Sequence, residues 1–356
     1  MSKKPHELST FRIAATYIGT VIGAGFASGQ EILQFFGVFG NWGLLGLLLV
    51  TLFFVIYGYI IMDLGYRIGS PSYIEIIRLS GGKYFGIIAD SIISFFLFGS
   101  TAAMIAASGA LFKQQFGIQS TLGGLIMTII TVATVFMGIN GIVNSLSVIV
   151  PFLLISAVGI SIFSVAAFPS DHTNIQAASS TGTLVGNWFS SAMLYVSYNI
   201  VTAIAVLGPL GKRAKNGKAV RNGAAVGGIT LGICALAIYL AIANNLQQLM
   251  NAELPMVSIA SRISPVIQIV YALVLLAGIF ATSAGSLYGF SARVFDIDGP
   301  KGKFMIFVVA ILAFVAGQFG FSNLVKYMYP IEGYLGMILL ASLLYSRIRI
   351  TRRRQA

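Results

Sequence analysis

The stretch IGTVIGAGFASGQE, from Ile18 to Glu31, places glycines at positions 19, 23, 25 and 29 inside a continuous apolar run. Gly19/Gly23 and Gly25/Gly29 are each four apart, the spacing that lets a neighbouring membrane helix approach closely. Packing leaves Gly23-Ala24-Gly25 unexplained, because two glycines flanking one small residue weaken a helix by about 1 kcal/mol each relative to alanine. The alternative is an unwound turn halfway through a membrane span. The spacing G-x-G-x-x-x-G, with no strand before it, excludes a dinucleotide-binding loop. A cleaved leader ending at Ala27-Ser28-Gly29 is also disfavoured, since the apolar run continues to Phe39.

Outward from that stretch, the 356 residues are 57% hydrophobic and 9% charged. A soluble domain carries about 25% charged residues. Ten apolar runs are each long enough to cross about 30 Å of hydrocarbon as a helix. They lie near 9–38, 42–67, 84–112, 121–138, 143–168, 184–210, 222–247, 262–292, 303–321 and 327–347. The formal charge of +12 would suggest nucleic acid in a soluble chain, but nineteen of the twenty-two Lys and Arg fall in alternate loops and the two termini. Only Lys113, Arg262 and Lys326 lie on the other side. That asymmetry predicts both termini in the cytoplasm of a bacterial inner-membrane protein and no nucleic-acid partner. The tail from Arg347 to Arg354 is expected to anchor on anionic lipid.

The longer polar stretches, Pro169–Thr183 and Met250–Ser264, are both external and too short for a separate domain. The second reads as a re-entrant or surface helix leading into span eight. One membrane domain, 1–356, with repeats about 9–168 and 184–347, is the expectation. One cysteine, Cys234, and two histidines, His6 and His172, exclude a disulfide framework and a His-rich metal site.

Span six, from Trp188 to Gly211, has an unusually polar centre, Tyr195-Val196-Ser197-Tyr198-Asn199. Polar groups are costly in hydrocarbon unless they face protein or a wet cavity. This face therefore either lines a cavity at an interrupted helix or makes hydrogen bonds between helices. Interrupted helices at spans one and six of ten point to a transporter with inverted repeats, because an odd number of spans per half inverts the second half. Glu31, on the outer side of the span-one break, is a gate or coupling candidate with Lys326, and Glu332 is an alternative in the coupling role. Structural pairing of Glu31 with Arg262 or Lys326 is the competing reading.

The whole chain resembles the LeuT-like amino acid-polyamine-organocation (APC) transporter superfamily. In detail it is similar to the YkvI-type bacterial membrane proteins, whose first helix carries the same GAGFASGQE run. The resemblance implies an all-α integral membrane fold of ten helices, a LeuT-like 5+5 inverted repeat with discontinuous helices one and six. Spans 1, 2, 6 and 7 would rock against spans 3, 4, 8 and 9. It also implies a substrate site at the amides of Gly23, Ala24 and Gly25, with Tyr195, Ser197, Tyr198 and Asn199 completing it. A sodium site is implied at the carbonyls of Gly19, Ile22 and Ile279 and the hydroxyls of Thr282 and Ser283. Span six lacks the aromatic-x-Gly pattern common in amino acid transporters of the superfamily.

These readings predict a secondary active transporter of a small polar solute, an amino acid or related zwitterion, coupled to sodium or protons. It would act as a monomer or weak oligomer in the lipid bilayer, without an organic cofactor. No G-x-x-x-x-G-K-[ST] loop occurs, so the energy would come from an ion gradient. A sensor retaining a transporter fold is the alternative. An intramembrane enzyme is disfavoured by the lack of HExxH or a nucleophile with a base, and a channel by the lack of charge rings or filter repeats.

Overall fold

The computed structural model describes residues 7–69, 73–137, 139–168, 184–296 and 299–353. Among these, nine helices are long and apolar enough to cross a membrane: Asn41–Ile68, Tyr84–Phe116, Ser120–Met137, Ile149–Ala167, Trp188–Lys212, Gly217–Ala243, Pro265–Val294, Pro300–Gly317 and Phe321–Arg349. They correspond to spans two to ten. Span one falls short only because it is cut into Thr10–Val21, Ala24–Ser28 and Gln30–Phe35.

The polarity of the molecule is that of a lipid-embedded body. Leu48, Ile129, Ile155, Ile162 and Phe319 stand at the surface, whereas Ser108, Ser161, Ser164, Ser191, Ser197 and Ser283 are buried. A large apolar perimeter is a liability in water and the natural surface in hydrocarbon. Trp42 and Trp188, at the N-terminal ends of spans two and six, stack with centroids 6.0 Å apart, where an interfacial aromatic belt belongs.

Packing repeats itself between the halves. Span two lies on span six as span seven lies on span one; span three meets spans nine and ten as span eight meets spans four and five. That correspondence is what a 5+5 repeat requires. The predicted alternation of sides also holds. Leu8 exchanges backbone hydrogen bonds with Arg213 and Lys215 of the sixth-to-seventh loop. Arg67 and Arg347 both pair with Asp63, joining the same-side ends of spans two and ten, and Arg293 of span eight pairs with Asp90 of span three.

Two expectations are corrected. Span six is not interrupted: Trp188–Lys212 is one helix of 25 residues, started by an Asn187/Ser190 capping box and passing through Pro209. Its polar centre is accommodated inside the helix, since Asn199 donates to the Tyr195 carbonyl at 2.9 Å and Thr202 to the Asn199 carbonyl at 2.8 Å. Span one, by contrast, is broken twice. The second break, at Gly29, has φ +79°. A left-handed turn there is natural for glycine and strained for other residues.

Of the two external polar stretches, Pro169–Thr183, with His172, lies outside the described residues, as does His6. The other contains a nine-residue helix, Pro255–Ile263, whose Pro255 and buried Met256 pack against Gly29 of span one.

Candidate functional site

The site begins with the backbone of span one. Its helical ladder ends with the Ile22 amide donating to the Ile18 carbonyl and resumes with Ala27 donating to Gly23. Between them Ile22 and Gly23 are extended, with ψ of 101° and −177°. A helix break leaves carbonyls on its N-terminal side and amides on its C-terminal side without intrahelical partners. The interruption expected at Gly23-Ala24-Gly25 is real but falls one residue earlier, at Ile22–Gly23, with Ala24 and Gly25 already helical and the carbonyl and amide ends of the two helices facing each other across it.

The short outer pieces are held from several directions. Ser28 donates to the Gly25 carbonyl at 2.7 Å and accepts from the Gln30 amide at 3.2 Å, which shapes the second break. Tyr271 of span eight donates to the Ala27 carbonyl. Gln30 donates to Ser322 of span ten at 2.6 Å. Glu31 is thereby turned inward, its carboxyl lying over Gly25 where a Cβ would collide with it. Tyr198 of span six donates a hydrogen bond to that carboxyl.

Around Glu31 the neighbouring spans supply aromatic rings. Tyr195 packs edge-on against Phe35, Phe36 and Tyr198, and Tyr198 lies 5.1 Å from the ring of Tyr329 on span ten. Glu332, one turn after Tyr329, is 3% exposed, and its Oε1 has no hydrogen-bond partner. Gly99 of span three leaves room for that oxygen, as an added Cβ would meet it at 2.5 Å. The register of span ten is set by a π-helical turn, Leu324–Met328, immediately before Tyr329. Such turns recur at functional sites because they displace the following residues from the ordinary helical face. The buried oxygens of Gln30, Tyr195 and Glu332 that lack a partner all belong to this region.

Several predicted residues meet here and others do not. Gly23, Ala24, Gly25, Tyr195, Tyr198, Glu31 and Glu332 converge. Ser197 points to span ten, where it donates to the Gly333 carbonyl at 2.8 Å. Asn199 bonds back into its own helix. Lys326 does not close a gate with Glu31: its ammonium lies over the Tyr327 ring, 5.3 Å from the centroid. Arg262 is likewise elsewhere, bonded to Asn245 and stacked on Phe168. On the opposite face of the break, Thr282 approaches Gly23, with its Oγ1 3.8 Å from where a Cβ would stand. Ser283 is turned to span four and accepts from Thr131 at 3.2 Å. Ile279 lies within unbroken helix, whereas Gly19 and Ile22 flank the break.

Tyr329, Tyr271 and Gln30 were not anticipated. A tyrosine in a membrane span reads equally well as lipid-facing, and only its neighbours make it part of a site. The one sequence signal was the cluster Tyr327, Tyr329, Glu332 at the head of span ten, too polar for a lipid-facing surface.

The chain matches no protein-family model. It is 30% identical over 336 residues to YkvI, a membrane protein of Bacillus subtilis strain 168, covering 94% of this chain and 95% of the relative. YyaD of the same organism is 27% identical over 327 residues, covering 92% and 94%. Among solved structures, MhsT in complex with L-phenylalanine superposes with a TM-score of 0.65 at 15% identity, covering 97% of this chain and 93% of MhsT. At that identity the likeness establishes the LeuT-like fold and nothing about the cargo.

Proposed function

The chain belongs to the YkvI family of membrane proteins, and from that premise we propose that it is a secondary active transporter of a small polar solute. One observation carries the reading: span one is unwound at Ile22–Gly23 beside buried polar groups of spans six, eight and ten. Irregular backbone within a membrane span is tolerated where protein or a wet cavity satisfies it, and it gives a transporter free dipoles with which to hold a solute. Solved structures with this fold include the Na+-coupled sialic acid symporter, which supports a carrier over a sensor.

The chemistry of the site favours a solute with a positively charged end. Glu31 occupies the position over Gly25, so an incoming carboxylate would be repelled there and an ammonium attracted. Rings of Tyr195, Tyr198 and Tyr329 add faces suited to a cation. With Glu31 over Gly25, this face of the break receives the ammonium end of an amino acid or related zwitterion. A coupling sodium ion would draw on the Gly19 and Ile22 carbonyls, at the N-terminal side of the break, and on the Thr282 hydroxyl, which approaches Gly23. They are hard, uncharged oxygen donors from which a singly charged ion can leave again.

Thermal unfolding of the purified protein against a panel of amino acids and amines, in sodium or potassium, tests the reading. A ligand at 100 times its Kd stabilises the native state by about 2.7 kcal/mol. The expected result is a stabilising compound with an amino group, followed by its counterflow into proteoliposomes. Stabilisation without counterflow would identify a sensor. A sodium-dependent shift that survives Thr282→Ala would remove that hydroxyl from the ion site.

A further inference from the structure

On the side where the basic loops gather, a cavity of about 500 Å³ opens between the C-terminal end of span two and the N-terminal end of span seven. Span two lines it with Tyr59, Asp63, Tyr66 and Arg67, and span seven with Gly217, Lys218 and Arg221. We propose that this cavity binds the phosphate headgroup of an anionic phospholipid, with an acyl chain lying along the seam between the two spans. The site is separate from the break in span one and stands whether or not the chain moves a solute.

Charge is the first reason. Asp63, the acidic residue of the lining, is already shared by Arg67 and Arg347. Four basic side chains thus meet one carboxylate, an excess of three positive charges. Among the described residues neither Lys218 nor Arg221 makes an ion pair, and three residues apart on one helix they stand side by side. Like charges so placed repel unless an anion lies between them. The backbone adds to this field. Asn216 caps span seven by accepting from the Ala219 amide at 2.8 Å, and the Gly217 and Lys218 amides before it precede the helical ladder. An open first turn of this kind favours an anion. It is open here: a Cβ at Gly217 would meet only the Tyr66 ring, at 3.9 Å. The Tyr59 hydroxyl, which accepts from Arg347 at 3.3 Å, keeps its own O–H to donate.

The surroundings select a lipid over a soluble anion. Ile56 lies one turn before Tyr59, and Ile229 lies three turns after Lys218 on the same face of its helix. Both are exposed, and Leu52 and Ile233 extend the two apolar rows a turn deeper. Between the rows the helices touch, since a Cβ at Gly228 would run into Val55 and one at Gly232 into Thr51. The basic cavity therefore heads a seam of lipid-facing side chains, the sequence of polar and apolar surface that a phospholipid presents in complement. A free phosphate would use the cavity and leave the seam bare.

Thermal unfolding of the full-length protein in maltoside micelles tests the site, with dioctanoyl phosphatidylglycerol, dioctanoyl phosphatidylcholine or inorganic phosphate titrated in. Phosphatidylglycerol should raise the unfolding temperature saturably, and the other two should not. Lys218→Gln/Arg221→Gln removes two basic contacts and should weaken the apparent affinity about thirtyfold, while the charge-conserving Lys218→Arg/Arg221→Lys should retain it. Both positions are exposed, so the variants should unfold as the wild type does without lipid. The tail variant Arg352→Gln/Arg353→Gln/Arg354→Gln should respond to phosphatidylglycerol as the wild type does. An undiminished response in Lys218→Gln/Arg221→Gln, or a response lost only in the tail variant, overturns the site. Equal stabilisation by phosphatidylcholine removes the role of charge, and equal stabilisation by inorganic phosphate identifies a soluble-anion site; either result overturns the lipid assignment.

Discussion

Tyr271 shows how much a single side chain contributes to the site. Its hydroxyl donates to the Ala27 carbonyl, within a five-residue helix far too short to be stable alone. A buried hydrogen bond is worth about 1 kcal/mol net, and an orphaned buried carbonyl costs about 1–3 kcal/mol. Tyr271→Phe should therefore loosen Ala24–Ser28 and Gln30–Phe35 selectively. Hydrogen exchange should accelerate about tenfold in those segments and stay unchanged in Gly217–Ala243; uniform acceleration would mean that Tyr271 supports the whole fold instead. Gly23 and Gly25 were legible from composition because their effect on a helix is local. Glu31 was legible as a functional candidate from its place in an apolar run. Its partners were not: the sequence offered Lys326 and Arg262 as countercharges, and the fold turns both away and supplies Tyr198 and Tyr329. A charge on one helix cannot report which helix faces it.

At the scale of helices, spans two and six are drawn together by glycine. A Cβ at Gly65 would run into the backbone of Gly208, and one at Gly211 into the backbone of Met62. Backbone cannot step aside as a flexible side chain can, and overpacking of this kind costs about 1–3 kcal/mol. Gly65→Ala should lower the thermal unfolding temperature in detergent. Gly159→Ala, where nothing stands within 4 Å of the new methyl group, should be neutral or slightly stabilising. Equal effects from the two substitutions would show that helix propensity, not the two-to-six contact, controls stability. The contrast between spans one and six also belongs here. Both have unfavourable centres, but the glycines of span one offer the backbone nothing to compensate a break. Asn199 and Thr202 of span six instead bond to carbonyls of their own helix. Polar residues in mid-membrane therefore report burial in protein more reliably than they report unwinding.

For the molecule as a whole, ion pairs tie together the side where the basic residues gather. Asp63 accepts from Arg67 at 2.6 Å and pairs with Arg347 at 3.0 Å, linking spans two and ten, with Arg347 also reaching the Tyr59 hydroxyl. Asp63 is 5% exposed at its side chain and the arginines are 25% and 18% exposed, so the carboxylate is the committed partner. Hydrogen bonds to charged groups are worth about 1.5–3 kcal/mol, and Asp63→Asn should cost that much in unfolding free energy. Because the substitution leaves Arg67 and Arg347 without their shared anion, adding Arg347→Met should recover part of the loss. Additive losses would mean that the three residues act independently.

Hydropathy, the alternation of basic loops and the glycine-rich centre of span one were sufficient for the membrane class, the ten spans, their alternation of sides and the first break. Each depends on chain composition within a few residues or on one-dimensional order. The continuity of span six, the second break at Gly29 and the meeting of Glu31 with Tyr198 were decided only in three dimensions. They depend on which helix faces stand opposite each other across the bundle, and on a π-turn that resets the register of span ten. Spans one and ten are separated by nearly the whole chain, so no local pattern could bring Gln30 to Ser322.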